Sequence, residues 1–312
     1  MEYVNFNGTK ISKITLGTVQ LGMNYGINNA DGKPSEQLAE QVLSTAVSGG
    51  ITTFDTSSDY GTSEKVVGEF FKCCKDDKPL IVTKFGIGAW EDNLSELDLE
   101  KEIREQVEKS LVNLGYNKLP LLLSHNEKDL QIYDKTLINV LKKLQKENLV
   151  DRVGASLNHF SYIDKVIESE IFEAVQLPLN MMDVKNVNGD GIKKLAEKNI
   201  AVFIRSVFLQ GLFFRDPESL PIGILQNAKE PLKKVRKIAE EENMSIAGLA
   251  IAYIRDLEGV SSLVMGAEKP EQVKENIELI NVKKISNSAS EKINVAFRDL
   301  DERVLCPWLW NK

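Results

Sequence analysis

Eight compact apolar segments, regularly interleaved with amphipathic stretches, set the strongest limit on how this chain can fold. The segments are Thr15–Leu21, Thr53–Thr56, Leu80–Lys84, Leu119–Ser124, Arg152–Ala155, Ala174–Pro178, Ala201–Phe208 and Ser262–Gly266. Stretches of helical period lie between them, such as Glu100–Leu114, Lys135–Glu147, Asp190–Glu197 and Pro231–Glu241. Strands apolar along their whole length need cover on both faces, the condition of a parallel sheet flanked by helices. Eight such units in 312 residues predict closure into an α/β (β/α)8 TIM barrel rather than an open doubly wound sheet. An open dinucleotide-binding sheet would carry G-x-G-x-x-G after its first strand, and Leu16-Gly17-Thr18-Val19-Gln20-Leu21-Gly22 lacks that spacing. Ahead of the barrel, Tyr3–Phe6 and Ile11–Ile14 alternate around Asn7-Gly8, a hairpin signal because both turn positions need positive φ.

No Pro/Gly/Ser-rich linker, low-complexity tract or like-charge block divides the chain, so residues 1–312 read as one barrel domain. Thirty-nine basic residues against 46 acidic ones give a net charge of -7, which argues against a nucleic-acid partner. The cluster Lys233, Lys234, Arg236 and Lys237 sits at helical spacing beside Glu240, Glu241 and Glu242 and reads as a solvated helix face. Cys73, Cys74 and Cys306 form neither a disulfide framework nor a zinc spacing. His125 and His159 stand in no H-x-x-E or H-x-H pattern, so no metal is expected. The opening Met1–Asn7 has no apolar run of a signal peptide, and nothing approaches the ~18 apolar residues of a membrane span. The expected setting is soluble and cytoplasmic.

In a barrel of this kind the chemistry collects at the C-terminal ends of the strands. Asp55 ends the second segment and Tyr60 lies in the loop after it; Lys84 ends the third and His125 follows the fourth. Each alone has an ordinary alternative: a turn cap, a half-buried aromatic, an exposed strand end, a structural imidazole. Their common placement at one rim favours chemistry. A phenol of pKa ~10 is a poor acid at neutral pH, a neighbouring ammonium lowers that value, and a carboxylate keeps the ammonium charged. Lys84 and Asp55 can play those parts for Tyr60, which would protonate a carbonyl oxygen that His125 also hydrogen-bonds. The hydride such a reduction needs comes from no side chain, which points to a nicotinamide cofactor.

At these residues the sequence resembles the aldo-keto reductases, over essentially its whole length. The resemblance runs through Phe54-Asp55-Thr56, Tyr60-Gly61-Thr62-Ser63-Glu64, Gly68, Val82-Thr83-Lys84 and Leu122-Leu123-Ser124-His125. It continues through Val153-Gly154-Ala155-Ser156, Val175-Gln176-Leu177-Pro178-Leu179-Asn180, Gly266 and Gln272-Val273-Lys274-Glu275-Asn276. It implies that Asp55, Tyr60, Lys84 and His125 are the catalytic four. It also implies a cofactor groove lined by Gly17, Thr18, Asp55, Ser156, Gln176, Arg205, Ser206, Gly211, Gly266, Gln272, Glu275 and Asn276. Gln176 would hold the nicotinamide carboxamide, while Gly211 and Gly266 would let backbone amides approach the pyrophosphate.

The chain departs from the family pattern at three places. Arg205 stands where many members stack an aromatic ring on nicotinamide, and a guanidinium plane can stack similarly. The usual Ser-Asn pair is split as Ser156-Leu157-Asn158. Gln272 replaces an Arg that grips the 2′-phosphate of NADP, with Lys269 near enough to substitute. NADP is the cofactor implied, with NAD possible.

Substrate walls are expected from Met23, Tyr25, Phe85, Trp90 and Phe213; of the candidates, Tyr25, Tyr60, Trp90 and His125 are those expected to touch substrate. The tail Cys306–Trp310 is expected to cross the active-site face. The phrases Phe208-Leu209-Gln210-Gly211 and Asn24-Tyr25-Gly26-Ile27-Asn28 look like a bacterial subgroup associated with sugar metabolism. The expected partner is a small carbonyl or alcohol, handled by a monomer or small homo-oligomer. Two other functions fit the residues: a lyase forming a Schiff base on Lys84, and a non-catalytic subunit that senses nicotinamide.

Overall fold

The computed structural model describes residues 1–26, 29, 32–73, 78–88 and 94–310; Cys74 and Trp90 lie outside them. Two antiparallel strands, β1 (Tyr3–Phe6) and β2 (Thr9–Ser12), precede eight parallel ones. These are β3 (Ile14–Gly17), β4 (Thr53–Asp55), β5 (Leu80–Phe85), β6 (Leu119–Ser124), β7 (Val150–Ser156), β8 (Phe172–Pro178), β9 (Ala201–Arg205) and β10 (Val260–Gly266). Each pairs with the next, and β10 pairs back onto β3, so the sheet closes into a barrel ringed by helices. The open-sheet alternative is thereby set aside.

Residues of period two divide the strands between two cores. Ile81 and Phe85 of β5, Leu122 of β6, and Val202 and Ile204 of β9 pack outward among the helices. Leu80 and Val82, Leu121 and Leu123, and Ala201 and Phe203 fill the barrel. Phe6 and Ile11 of the hairpin join that inner cluster and close the N-terminal mouth. Arg152 reinforces the plug, its guanidinium 4.9 Å from the Phe6 ring and hydrogen-bonded to Thr9 Oγ1 at 3.0 Å.

Several boundaries differ from the sequence expectation. The hairpin's second strand is Thr9–Ser12 rather than Ile11–Ile14, because the two-residue turn at Asn7 (φ 46°) and Gly8 (φ 86°) pairs Phe6 directly with Thr9. Ile14 is thereby released to start the barrel. The segment expected as a strand to Leu21 leaves the sheet at Gly17, where Thr18 turns to donate N–H and Oγ1 to Asp55 O at 2.9 and 2.8 Å. The strand expected to Phe208 ends at Arg205, since Ser206 takes φ 64°. The helix expected from Glu100 begins at Glu96, capped by Ser95 Oγ accepting from Asp98 N, and stops at Gly115 in the left-handed region. Among the described residues no helix is long and apolar enough to cross a membrane. The tail lies against the loops after β7 to β9, with the Trp308 and His159 rings 6.0 Å apart.

Candidate active site

The same period-two alternation sends one residue from the upper end of each of four strands into the barrel mouth. Asp55 follows Thr53 inward, Lys84 follows Leu80 and Val82, Gln176 follows Ala174, and Arg205 follows Ala201 and Phe203. Asp55 is 4% exposed and Lys84 1% exposed. Lys84 Nζ donates to Asp55 Oδ1 at 2.7 Å and to Thr56 O at 2.8 Å, and Gln176 Nε2 donates to the same Asp55 oxygen at 2.7 Å. Burial alone would pull the Lys84 ammonium's pKa down; the Asp55 carboxylate and the Tyr60 phenol outweigh it and hold the pKa up. A pKa held up in this way favours Lys84 as a charge over Lys84 as an amine nucleophile.

The loop after β4 is laid over this pair. Thr56 N donates to Val82 O, and Ser58 donates to Lys84 O through both N and Oγ. The turn at Gly61 (φ 58°) then tucks Tyr60 inward, with its ring centre 5.0 Å from Lys84 Nζ. Burial raises the Tyr60 pKa above the ordinary phenol value; Asp55 adds to that, and Lys84 and Arg205 oppose it. The expectation that Lys84 lowers this pKa is therefore right in sign for that one interaction and wrong for the net, because desolvation of a phenolate costs more than one ammonium returns.

His125 stands edge-on to Tyr60, ring centres 5.7 Å apart. Its N–H donates to Phe85 O, and its Nδ1 lies 3.1 Å from Asp59 Oδ2 and 3.3 Å from Ser57 Oγ. That contact holds the Asp59 carboxyl below the usual carboxylate range. Nε2 is left as the ring nitrogen available to a ligand. Sequence reading missed Asp59, whose one signal was its position next to Tyr60.

Gly17, Gln20, Asp55, Tyr60, Ser156, Gln176, Arg205, Ser206, Gly211 and Gly266 line a cavity of about 790 Å³, with Tyr25 and His125 at its rim. Tyr25 is 46% exposed there. Two features fit a dinucleotide in this cleft. Gly266 has no Cβ to crowd the cleft; one placed there would meet the tip of the Gln20 side chain, Nε2 at 2.6 Å, and push it aside. Gln20 Oε1 is a buried acceptor without a hydrogen bond, waiting for a donor.

Other expected residues do different work. Thr18 is spent behind the wall on Asp55 O and Ser63 Oγ. Gln272 Oε1 accepts from Glu268 N at 2.6 Å and Lys269 N at 3.1 Å, capping helix Pro270–Leu279. Asn276 Nδ2 donates to Gly266 O at 3.3 Å and so braces the end of β10, while Glu275 is exposed on the same helix. Phe85 and Phe213 are not pocket walls: both pack into the helix-facing core, Phe85 because odd positions of β5 point outward. Met23 is exposed outside the cavity. Asn158 donates N–H and Nδ2 to Glu127 Oε2 at 2.8 and 3.1 Å and presents Oδ1 to Arg205. Among the described residues no group of three His, Cys, Asp or Glu side chains is placed to hold a metal.

The Aldo/keto reductase family model matches residues 13–296. Over 88% of its length the chain is 26% identical to a Bacillus subtilis protein named Uncharacterized oxidoreductase YqkF, covering 89% of it. Over 87% it is 25% identical to the NADH-specific methylglyoxal reductase of Escherichia coli, covering 90% of that protein. The solved aldo-keto reductase AKR11C1 from Bacillus halodurans, in its holo form, superposes with a TM-score of 0.75 at 20% identity, over 95% of this chain and 96% of that one.

Proposed function

Since this chain belongs to the aldo/keto reductase family, with residues 13–296 matched, we propose that it reduces a small aldehyde or ketone to an alcohol, or runs the reverse, as a single domain over residues 1–312. The observation that carries the reading is the buried Asp55–Lys84 pair lying directly beneath Tyr60, with His125 edge-on beside it. A nicotinamide dinucleotide bound in the glycine-edged cavity would supply the hydride.

The side chains divide the remaining work. Tyr60 Oη donates to the carbonyl oxygen and orients it, and His125 Nε2 donates to the same oxygen in the ring form that carries a proton there. Tyr60 keeps its proton through the neutral range, because burial holds its pKa up, and releases it only to an oxygen gaining negative charge. The phenolate that remains is stabilised by the Lys84 ammonium, which Asp55 keeps charged. Gln176, fixed by donating to Asp55, keeps its Oε1 free to accept from the cofactor carboxamide. Ser156, Ser206, Gly211 and Gly266 offer hydroxyls and close backbone along the cleft.

NADP(H) is the cofactor proposed, with NAD(H) also admitted, because Gln272 caps a helix where a phosphate-gripping Arg would otherwise stand. The rim at Tyr25 and Asp59 suits a hydroxylated carbonyl compound, including a sugar. Tyr60→Phe should lower turnover by roughly 10²–10⁴-fold and leave cofactor affinity near wild type. The measurement is absorbance at 340 nm over a panel of carbonyl substrates, with NADPH and NADH in parallel. Wild-type rates in the Phe variant would remove Tyr60 from the proton-transfer role.

A further inference from the structure

Arg205 is a charged group of the cavity that makes no hydrogen bond to the Asp55–Lys84 pair. β9 aims it into the barrel mouth, where it is half-buried. Among the described residues one terminal nitrogen of its guanidinium donates to two neutral oxygens, Leu157 O at 3.1 Å and Asn158 Oδ1 at 2.7 Å. Among the described residues no carboxylate is within ion-pair distance of it. Asp55 is engaged by Lys84 and Gln176, Glu127 by Asn158 and His159, and Asp59 by His125. Two cations, Lys84 and Arg205, thus stand near two buried carboxylates, Asp55 and Glu127, and both carboxylates accept their direct hydrogen bonds from groups other than Arg205. Asn158, itself clamped by Glu127, keeps the guanidinium from swinging out to solvent. A cation without a direct ion pair in such surroundings is costly, and costly charges cluster where they act on a ligand.

We propose that Arg205 makes this site discriminate between the redox states of nicotinamide, disfavouring the cationic oxidised ring against the neutral reduced ring, so that the protein holds the reduced cofactor more tightly. The inference rests on the reading that the cavity takes a nicotinamide dinucleotide. The two redox states share their phosphates, riboses and carboxamide, so those contributions cancel in the ratio of their affinities. What remains is the ring's charge against its surroundings. At the dielectric of a partly buried site, one added unit charge a few ångströms away is worth on the order of tenfold or more. Product cofactor is then expelled more readily than reduced cofactor, which favours the reductive direction.

The test is titration calorimetry of the whole protein with NADPH, NADP⁺, NADH and NAD⁺, without substrate, for wild type, Arg205→Gln and Arg205→Lys. Wild type should bind the reduced form of its preferred cofactor about tenfold more tightly than the oxidised form. Arg205→Gln should shrink that ratio by about tenfold, chiefly by tightening the oxidised form, and Arg205→Lys should preserve it. A wild-type ratio at or below unity overturns the inference without any variant. An unchanged ratio in Arg205→Gln, with both forms weakened alike, also overturns it and leaves Arg205 as a stacking surface. Absence of binding by any of the four to wild type overturns the nicotinamide reading and this inference with it.

Discussion

At the scale of single residues, the site is an exercise in keeping charges in place without water. Lys84 is almost fully buried, and its ammonium is tolerable because Asp55 and a backbone carbonyl replace its hydration. Lys84→Met removes the cation and strands the Asp55 carboxylate inside the barrel mouth. A destabilisation of about 3–5 kcal/mol is expected, read as a lower denaturation midpoint. The same variant should push the alkaline limb of any residual reductase activity to higher pH, since it deletes an interaction that lowers the Tyr60 pKa. An alkaline limb that stayed put would detach Lys84 from the phenol. Asp55, Tyr60, Lys84 and His125 were all legible from their sequence positions at strand ends. Asp59, Gln20 and Glu127 were not, because their significance lies in what they face across the barrel.

At the scale of elements, period two does most of the positioning. One alternation fills the barrel with Leu80, Val82 and Phe203 and, continued to the strand ends, delivers Lys84 and Arg205 to its mouth. The hairpin closes the other end. Phe6→Ala should open a void against Leu121, Phe203 and the Arg152 guanidinium, costing about 3–5 kcal/mol. Cofactor affinity should remain close to wild type, because the plug and the cavity lie at opposite ends of the strands. Denaturant titration beside a cofactor titration checks both halves, and coupled losses would contradict the separation. Boundaries were less legible than elements. Gly17 and Arg205 end their strands because Thr18 and Ser206 turn the chain, and apolar composition continues past both turns.

At the scale of the whole molecule, stability should depend on pH through buried phenols. Tyr253, which donates to Asn294 Oδ1 at 3.0 Å, has its pKa pushed up to about 12 by burial, and Tyr60 is raised in the same direction. A folded-state pKa above the unfolded value of ~10 means the stabilisation is whole below pH ~10 and drains away as pH rises through the folded value. Tyr253→Phe should therefore flatten the loss of stability between pH 10 and about 12, followed by circular dichroism during alkaline titration. A slope identical to wild type would assign that loss to other groups. By itself the sequence determined the barrel, its parallel order and the four residues at its rim, since periodicity and strand-end position are local properties that any eight such units must satisfy. Only the tertiary structure decided that Phe85 faces the helices, that Gln272 caps instead of gripping, and that among the described residues Arg205 makes no direct ion pair. Those outcomes depend on which side chains meet after closure, and a chain read in one dimension carries no record of which partner arrives first at a shared carboxylate.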